Sequence, residues 1–191
     1  MARAGLSMCP SSEASTISPD HPPSPTASGL LALLLALLVV LAWPSQALAR
    51  TRYEATVTSV VDGDTVWVRR SRGARGTDIR LQGIDAPEIC QHWGPQAREA
   101  LRRLLLSRRV TVTEVARDSY GRVLAQLRVD GQDVGGWLVA NGHAWSSRFH
   151  GRTGPYGRLE TDARAAHRGL WSQPRPLEPR AFRRQHGPCP H

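Results

Sequence analysis

Tyr53 to Val61 alternates apolar and polar side chains, the period-two pattern of a strand with one face buried and the other in water. Asp62-Gly63 marks a turn, and Thr65 to Val68 resumes the extended pattern. Arg69 to Gly76 is polar, with glycine at two points, and reads as the tip of a hairpin. A third strand is expected over Asp78 to Ile84, after which Pro87 and Glu88 leave the sheet. The period then changes: within Pro95 to Ser107, Ala97, Leu101, Leu104 and Leu105 share one face at helical spacing. Val110 to Val115 and Val123 to Val129 give a fourth and a fifth strand, joined through Tyr120-Gly121. A short helix is expected over Val134 to Ala140, ended by Asn141-Gly142. A last helix over Leu159 to His167 is closed by Gly169 and packed by Leu170 and Trp171. Five strands with a helix after the third predict a small closed β-barrel of the oligonucleotide-binding type with about three helices.

The ends of the chain fall outside that pattern. Gly29 to Trp43 is an apolar run followed by Pro44 and by Ala47-Leu48-Ala49, a small-x-small site. Its length suits a signal segment cleaved after Ala49 and falls short of a membrane span. The stretch before it is long, rich in Ser and Pro, and carries only Arg3 as a positive side chain. The expected organisation is therefore a signal segment over residues 1–49 and a folded domain over 50–172. An extended tail rich in Pro and Arg follows over 173–191. The expected location is secreted or periplasmic, with membrane attachment only if the segment is retained.

The 191 residues carry a net charge of +9, and all 25 basic side chains other than histidine are arginine. Residues 1–49 hold one positive and two negative side chains, so their removal raises the charge to +10. Such an excess favours a polyanionic partner, either nucleic acid or an anionic surface. Cys9 leaves with the signal segment, so an exported chain keeps Cys90 and Cys189, a pair whose compartment favours a bridge. Cys90-Gln91-His92 and Cys189-Pro190-His191 also admit a zinc reading, which export disfavours.

Candidate chemistry concentrates in three phrases: Asp62-Gly63-Asp64-Thr65, Arg80 through Glu88 (Arg-Leu-Gln-Gly-Ile-Asp-Ala-Pro-Glu), and Asp118-Ser119-Tyr120-Gly121-Arg122. Carboxylates at strand and turn edges can hold a hard divalent cation, which takes oxygen ligands. Two guanidinium groups offer planar, bidentate donors to a phosphate. Together with a carboxylate that positions water, these are the parts needed to hydrolyse a phosphodiester, because negative charge builds on the non-bridging oxygens.

The three phrases, in this order and spacing, resemble the thermonuclease (staphylococcal nuclease-like) family from about Tyr53 to about Trp171. The resemblance implies the same barrel and an exported, Ca²⁺-dependent nuclease acting on DNA and RNA with little sequence preference. It implies in-line attack of water opposite the 5′ oxygen, leaving 3′-phosphate ends. Asp64, Asp85 and the backbone carbonyl of Ala86 are then expected to hold Ca²⁺, Ala86 standing where the family usually has Thr. Glu88 orients or deprotonates the water, and Arg80 and Arg122 bind the scissile phosphate, Arg122 also assisting the leaving oxygen. Tyr120 is expected near the substrate's terminal phosphate or base. Ser119 replaces a residue that is often basic, and Phe149 or Trp145 stands in for stacking tyrosines. A monomer without a stable protein partner is expected.

Each assignment has a plainer alternative. Asp62, Asp64 and Asp85 can simply cap turns, Glu88 can be a first-turn helix carboxylate, and Trp145 can belong to the core. The run Arg69, Arg70, Arg72 and Arg75 suits either a nucleic-acid backbone track or a solvated hairpin tip. Two rival functions remain open here: a non-catalytic nucleic-acid-binding module on the same barrel, and an exported basic protein that binds anionic envelope polymers. Digestion of plasmid or tRNA with Ca²⁺ and with a chelator separates all three.

Overall fold

The structure, a computed structural model, describes residues 50–148 and 152–189; the expected signal segment and Phe149 lie outside the described residues. Five long strands form the barrel: β1 (Arg52–Val60), β2 (Thr65–Arg69), β3 (Thr77–Leu81), β5 (Arg109–Arg117) and β6 (Val123–Val129). Neighbours pair antiparallel in the order β3-β2-β1-β5-β6. Parallel pairing of β3 with β6, Ile79 opposite Val123 and Leu81 opposite Ala125, then closes the ring. Closure removes the free edges that an open five-stranded sheet would present.

The core follows from the alternation. Val57, Val66, Val68, Ile79, Val110, Val112 and Ala125 point inward with essentially no exposure. The step from Val57 to Val60 skips a residue because β1 is bulged against β2 between Val57 and Ser59. Helix α1 (Gly94–Leu105) adds Ala97, Leu101 and Leu105 on its buried stripe, and α2 (Val134–Ala140) adds Val134, Leu138 and Val139. Each fully buried Val or Leu contributes roughly 1.5–3 kcal/mol of apolar transfer free energy. Asp133 caps α2 by accepting from the Gly136 N–H at 2.8 Å. A smaller cluster of Trp145, Ala163, Leu170 and Trp171 packs helix α3 (Gly157–Ala165) and the 3₁₀ turn Gly169–Ser172.

Two expectations need correction. The third strand does not run unbroken to Ile84, because Gly83 takes φ +84° and turns the chain out of the barrel. Ile84 and Asp85 instead form a separate two-residue strand, β4, paired with β8 (Trp145–Ser146). Another two-residue strand, β7 (Gln132–Asp133), continues from β6. The tail after residue 172 is not simply extended: Pro179–His186 forms helix α4. Pro179 suits the first turn, where its missing N–H costs nothing, and Gly187 ends the helix at φ +76°.

The tail also belongs to the folded unit. Cys90 and Cys189 are joined by a disulfide across a separation of 99 residues. The Gln91 side chain donates to the Leu177 carbonyl at 2.5 Å, and Arg148 pairs with Glu178 at 3.5 Å. With both sulfurs bonded to each other, no thiolate remains there for zinc. Among the described residues no helix is long and apolar enough to cross a membrane.

Candidate active site

Asp64 immediately precedes β2 and its backbone carbonyl accepts from the Leu81 N–H at 2.8 Å, so the residue is clamped at the β2–β3 seam. Thr65 stands opposite Arg80 in that pair of strands. Arg80 Nη1 donates to Asp64 Oδ1 at 2.7 Å, and its Nη2 donates to Asp85 Oδ1 at 2.8 Å. One guanidinium therefore ties the carboxylate before β2 to the carboxylate of β4. The other oxygen of Asp64 accepts from the Ala86 N–H at 2.9 Å, and the Asp64 N–H donates to Asp62 at 2.9 Å.

Small residues make this convergence possible. A Cβ on Gly63 would stand 2.7 Å from the Ala86 Cβ and 2.9 Å from the Ala97 Cβ. The Asp62–Asp64 turn, the segment after β4 and the first turns of α1 therefore meet where only glycine fits. Glu88 is fixed in the same way: a Cβ on Gly94 would fall 1.9 Å from the Glu88 carbonyl oxygen. The Gln91 side chain accepts from the Glu88 N–H at 3.1 Å, and the Gln91 N–H returns to the Glu88 carbonyl at 2.8 Å.

Arg122 comes from the tip of the β5–β6 hairpin. Asp118 shapes that tip by accepting from the N–H groups of Tyr120 and Arg122, both at 3.0 Å, and from Arg122 Nε at 2.8 Å. Gly121 supplies the positive φ the turn requires. Tyr120 is 84% exposed, and the Arg122 guanidinium lies 5.5 Å from its ring centre. Asp62, Asp64, Arg80, Ala86, Glu88, Tyr120 and Arg122 all line one cavity of about 480 Å³.

The charges are unevenly solvated. Asp64 is 3% exposed, and burial pushes its carboxyl up to about 7 against the pull of Arg80, with repulsion from Asp62 and Asp85 acting in the same direction as burial. Arg80 loses some preference for its charged form through burial, but Asp64 and Asp85 more than restore it and raise its pKa. Desolvation acts to raise Asp118, yet the hydrogen bonds from Arg122 and Tyr120 hold its carboxyl below the usual range.

This donor set suits a hard divalent cation. Three carboxylates (Asp62, Asp64, Asp85) surround one guanidinium, a surplus of negative charge that is itself one cause of Asp64's raised pKa. All available ligands are oxygen, including the Ala86 carbonyl. Among the described residues no group of three or more His, Cys, Asp or Glu side chains is placed to hold a metal ion by itself. Asp64, Asp85 and the Ala86 carbonyl would hold one only with water and substrate oxygens added.

Some candidate residues fall outside the cavity, among them Asp85, which lines an adjoining cavity together with Arg80. Trp145 is 4% exposed and packs edge-on against Trp171 at 5.6 Å, so it is core and not a base platform. In the basic hairpin, Arg70 covers the Tyr53 ring at 3.5 Å and pairs with Glu114 at 3.6 Å, an intramolecular use of that side chain. Two contributors have no role on sequence grounds. Asp118 is visible in its phrase, but only the folded hairpin shows that it holds Arg122. Arg183 of α4 pairs with Glu88 across 95 residues of sequence, and no local pattern signals it.

Comparison with known proteins agrees with the geometry. Residues 78–173 match the family described as staphylococcal nuclease homologue. The chain is 38% identical over 161 residues to Protein ParB of Escherichia coli, covering 78% of this chain and 89% of that protein. It is 36% identical over 148 residues to an uncharacterized endonuclease of Escherichia coli, covering 77% and 94%. It is 33% identical over 168 residues to the micrococcal nuclease of Shigella flexneri, covering 82% and 93%.

Proposed function

The chain belongs to the staphylococcal nuclease family and is a nuclease; from that premise we propose an exported, Ca²⁺-dependent enzyme that cuts DNA and RNA with little sequence preference and leaves 3′-phosphate ends. The observation that carries this reading is the Arg80 fork bridging Asp64 and Asp85, with Asp64 and Arg80 lining the cavity that Glu88 and Arg122 also line and Asp85 lining the adjoining one.

In this reading, Arg80 and Arg122 bind the non-bridging oxygens of the scissile phosphate, where their forks stabilise the charge that develops as water adds. Arg80 is held by two carboxylates and Arg122 by Asp118, so little reorganisation is needed when substrate arrives. Glu88 holds the attacking water and takes its proton. Asp64, Asp85 and the Ala86 carbonyl would hold the cation, whose chemistry is to neutralise phosphate charge and polarise the phosphorus–oxygen bonds. Tyr120, exposed at the cavity rim, offers a ring face to the neighbouring nucleotide. Arg122 donates to the departing 5′ oxygen. A monomer is proposed.

Export is supported by the Cys90–Cys189 bridge, a feature of oxidising compartments. The mature protein would begin at Arg50.

The test is digestion of plasmid and tRNA with Ca²⁺ and with a chelator, followed by end-group analysis and an intact mass of exported protein. Chelator-sensitive cleavage of both substrates, with ends extendable only after phosphatase treatment, supports the reading. Cleavage that persists undiminished in chelator, or that leaves 3′-hydroxyl ends, overturns it.

A further inference from the structure

The tail helix brings arginine to the site from outside the barrel. Arg183 of α4 donates to Glu88 and lines the cavity that holds Asp64, Glu88 and Arg122. It also lines an adjoining cavity of about 570 Å³, together with Arg80, Asp85, Arg152 and Arg180. Arg180 and Arg183 are one helical turn apart and so share a face. That second cavity has four arginines against the single carboxylate of Asp85; Arg80 and Arg183 are paired with Asp64, Asp85 and Glu88, whereas among the described residues no carboxylate pairs with Arg152 or Arg180.

The helix is held in place by structure. The Cys90–Cys189 disulfide follows its C-terminus. Gln91 to the Leu177 carbonyl and Arg148 to Glu178 precede its N-terminus. Arg183 itself is only half-buried, its side chain 44% exposed. An ion pair so wetted is weak and exchanges readily for a better anion. A phosphate diester is such an anion, since a guanidinium fork binds it bidentately.

We propose that α4 is a phosphate-binding arm: Arg183, with Arg180 beside it, binds the phosphate flanking the scissile one in a polynucleotide, and in doing so exchanges its contact with Glu88 for substrate. The inference rests on the cavity being the nuclease site, and it adds a subsite built from the disulfide-tethered tail. Because the arm is already ordered by the bridge, little conformational entropy is lost when the strand docks.

The test compares wild type with Arg183→Ala and, separately, Cys189→Ser, on single-stranded DNA and on a dinucleoside monophosphate that has no flanking phosphate. Wild-type cleavage of both substrates tests the site reading by itself. For Arg183→Ala, KM on single-stranded DNA should rise about 10-fold or more, the value of one charge-assisted hydrogen-bonded pair. The slope of log KM against log salt should fall by about 0.7, as expected when one phosphate fewer is neutralised on a single strand. KM for the dinucleoside should stay within about two-fold, since that substrate carries no phosphate for Arg183 to reach. Cys189→Ser, folded as judged by circular dichroism, should move KM and salt slope the same way by freeing the arm. Unchanged KM and slope on DNA, an equal loss on both substrates, or a rise in kcat with KM unchanged would each overturn the proposal. The last outcome would make Arg183 merely an inhibitory partner of Glu88.

Discussion

Removing Arg80 should destabilise the fold by an amount that depends on pH, and the dependence carries the information. Asp64 is buried and its carboxyl is pushed up to about 7, although Arg80 sits 2.7 Å away and works in the opposite direction. For an acid whose folded pKa exceeds its unfolded one, charging the group costs stability. The cost begins near the unfolded value, about 4, grows to pH 7, and is then constant. In Arg80→Ala the stabilising charge is gone, so Asp64 titrates higher still and its cost keeps growing above pH 7. Below about pH 6 Asp64 is largely protonated in both proteins, and the variant loses only hydrogen bonds and packing, about 1 kcal/mol.

At pH 8 the extra cost in the variant is the proton that Asp64 now keeps where the wild type has released it, and linkage limits this to about 1.4 kcal/mol for the one pH unit above 7. Added to the loss already present at low pH, the total at pH 8 is about 2.4 kcal/mol. At about 4 °C per kcal/mol for a domain of this size, Tm should fall by about 4 °C at pH 5 and about 10 °C at pH 8. The measurement is thermal unfolding of both proteins in chelator across pH 5–9, followed by circular dichroism. A constant offset over that range, or a drop under about 3 °C at pH 8, would show that Asp64 does not depend on Arg80 for its charge.

Cys189→Ser should lower stability by up to about 4–5 kcal/mol, because the bridge closes a loop of about 100 residues in the unfolded chain; equal Tm values for the oxidised and reduced wild type would refute this. Glu88→Gln should cut kcat by about 10²–10⁴ while leaving KM close to wild type, and single-turnover cleavage at the wild-type rate would remove Glu88 from the chemistry. Arg122→Ala should lower turnover on single-stranded DNA by about 10²–10³, a claim refuted by undiminished activity. Gly63→Ala should destabilise by about 1–3 kcal/mol through overpacking against Ala86 and Ala97, whereas a neutral Tm would mean the turn can shift at no cost.

Much of the barrel is legible because each long strand carries its own alternation and each break its own turn residues. Val66, Val68, Ile79, Val110, Val112 and Val123 are inward both by pattern and in the structure. The site is legible from the order and spacing of its three phrases, which the strand pairing then brings together. What the pattern hides depends on pairings between distant segments. The end of β3 at Leu81 follows from Gly83 adopting positive φ, a choice made by the pairing of β4 with β8. Helix α4 is masked by a composition of proline and arginine, with Ala181 and Phe182 as its small apolar content. Its stability comes from the bridge and from Gln91, Arg148 and Glu88, none of which is near it in sequence. Pro179 and Gly187 are readable as its boundaries, but boundaries without an apolar stripe do not make a helix by themselves.

The same pairings that close the barrel also set the site. Thr65 opposite Arg80 joins β2 to β3, and Arg80 opposite Leu124 joins β3 to β6. Leu124 lies two residues beyond Arg122, so the seam that completes the ring also fixes the separation of the two guanidinium groups. Asp64 is held on the adjacent β2–β3 seam by its backbone as well as its side chain, through Leu81 and Arg80 of the strand that both seams share. Its buried charge works against stability, yet the geometry that buries it is also the geometry that closes the sheet, and the two cannot be relaxed separately. A substitution that loosens the β3–β6 pairing without unfolding the domain therefore disturbs the spacing of Arg80 and Arg122 first. Substitutions at the opposite side of the ring, where β1 meets β5, leave that spacing intact and act on stability alone.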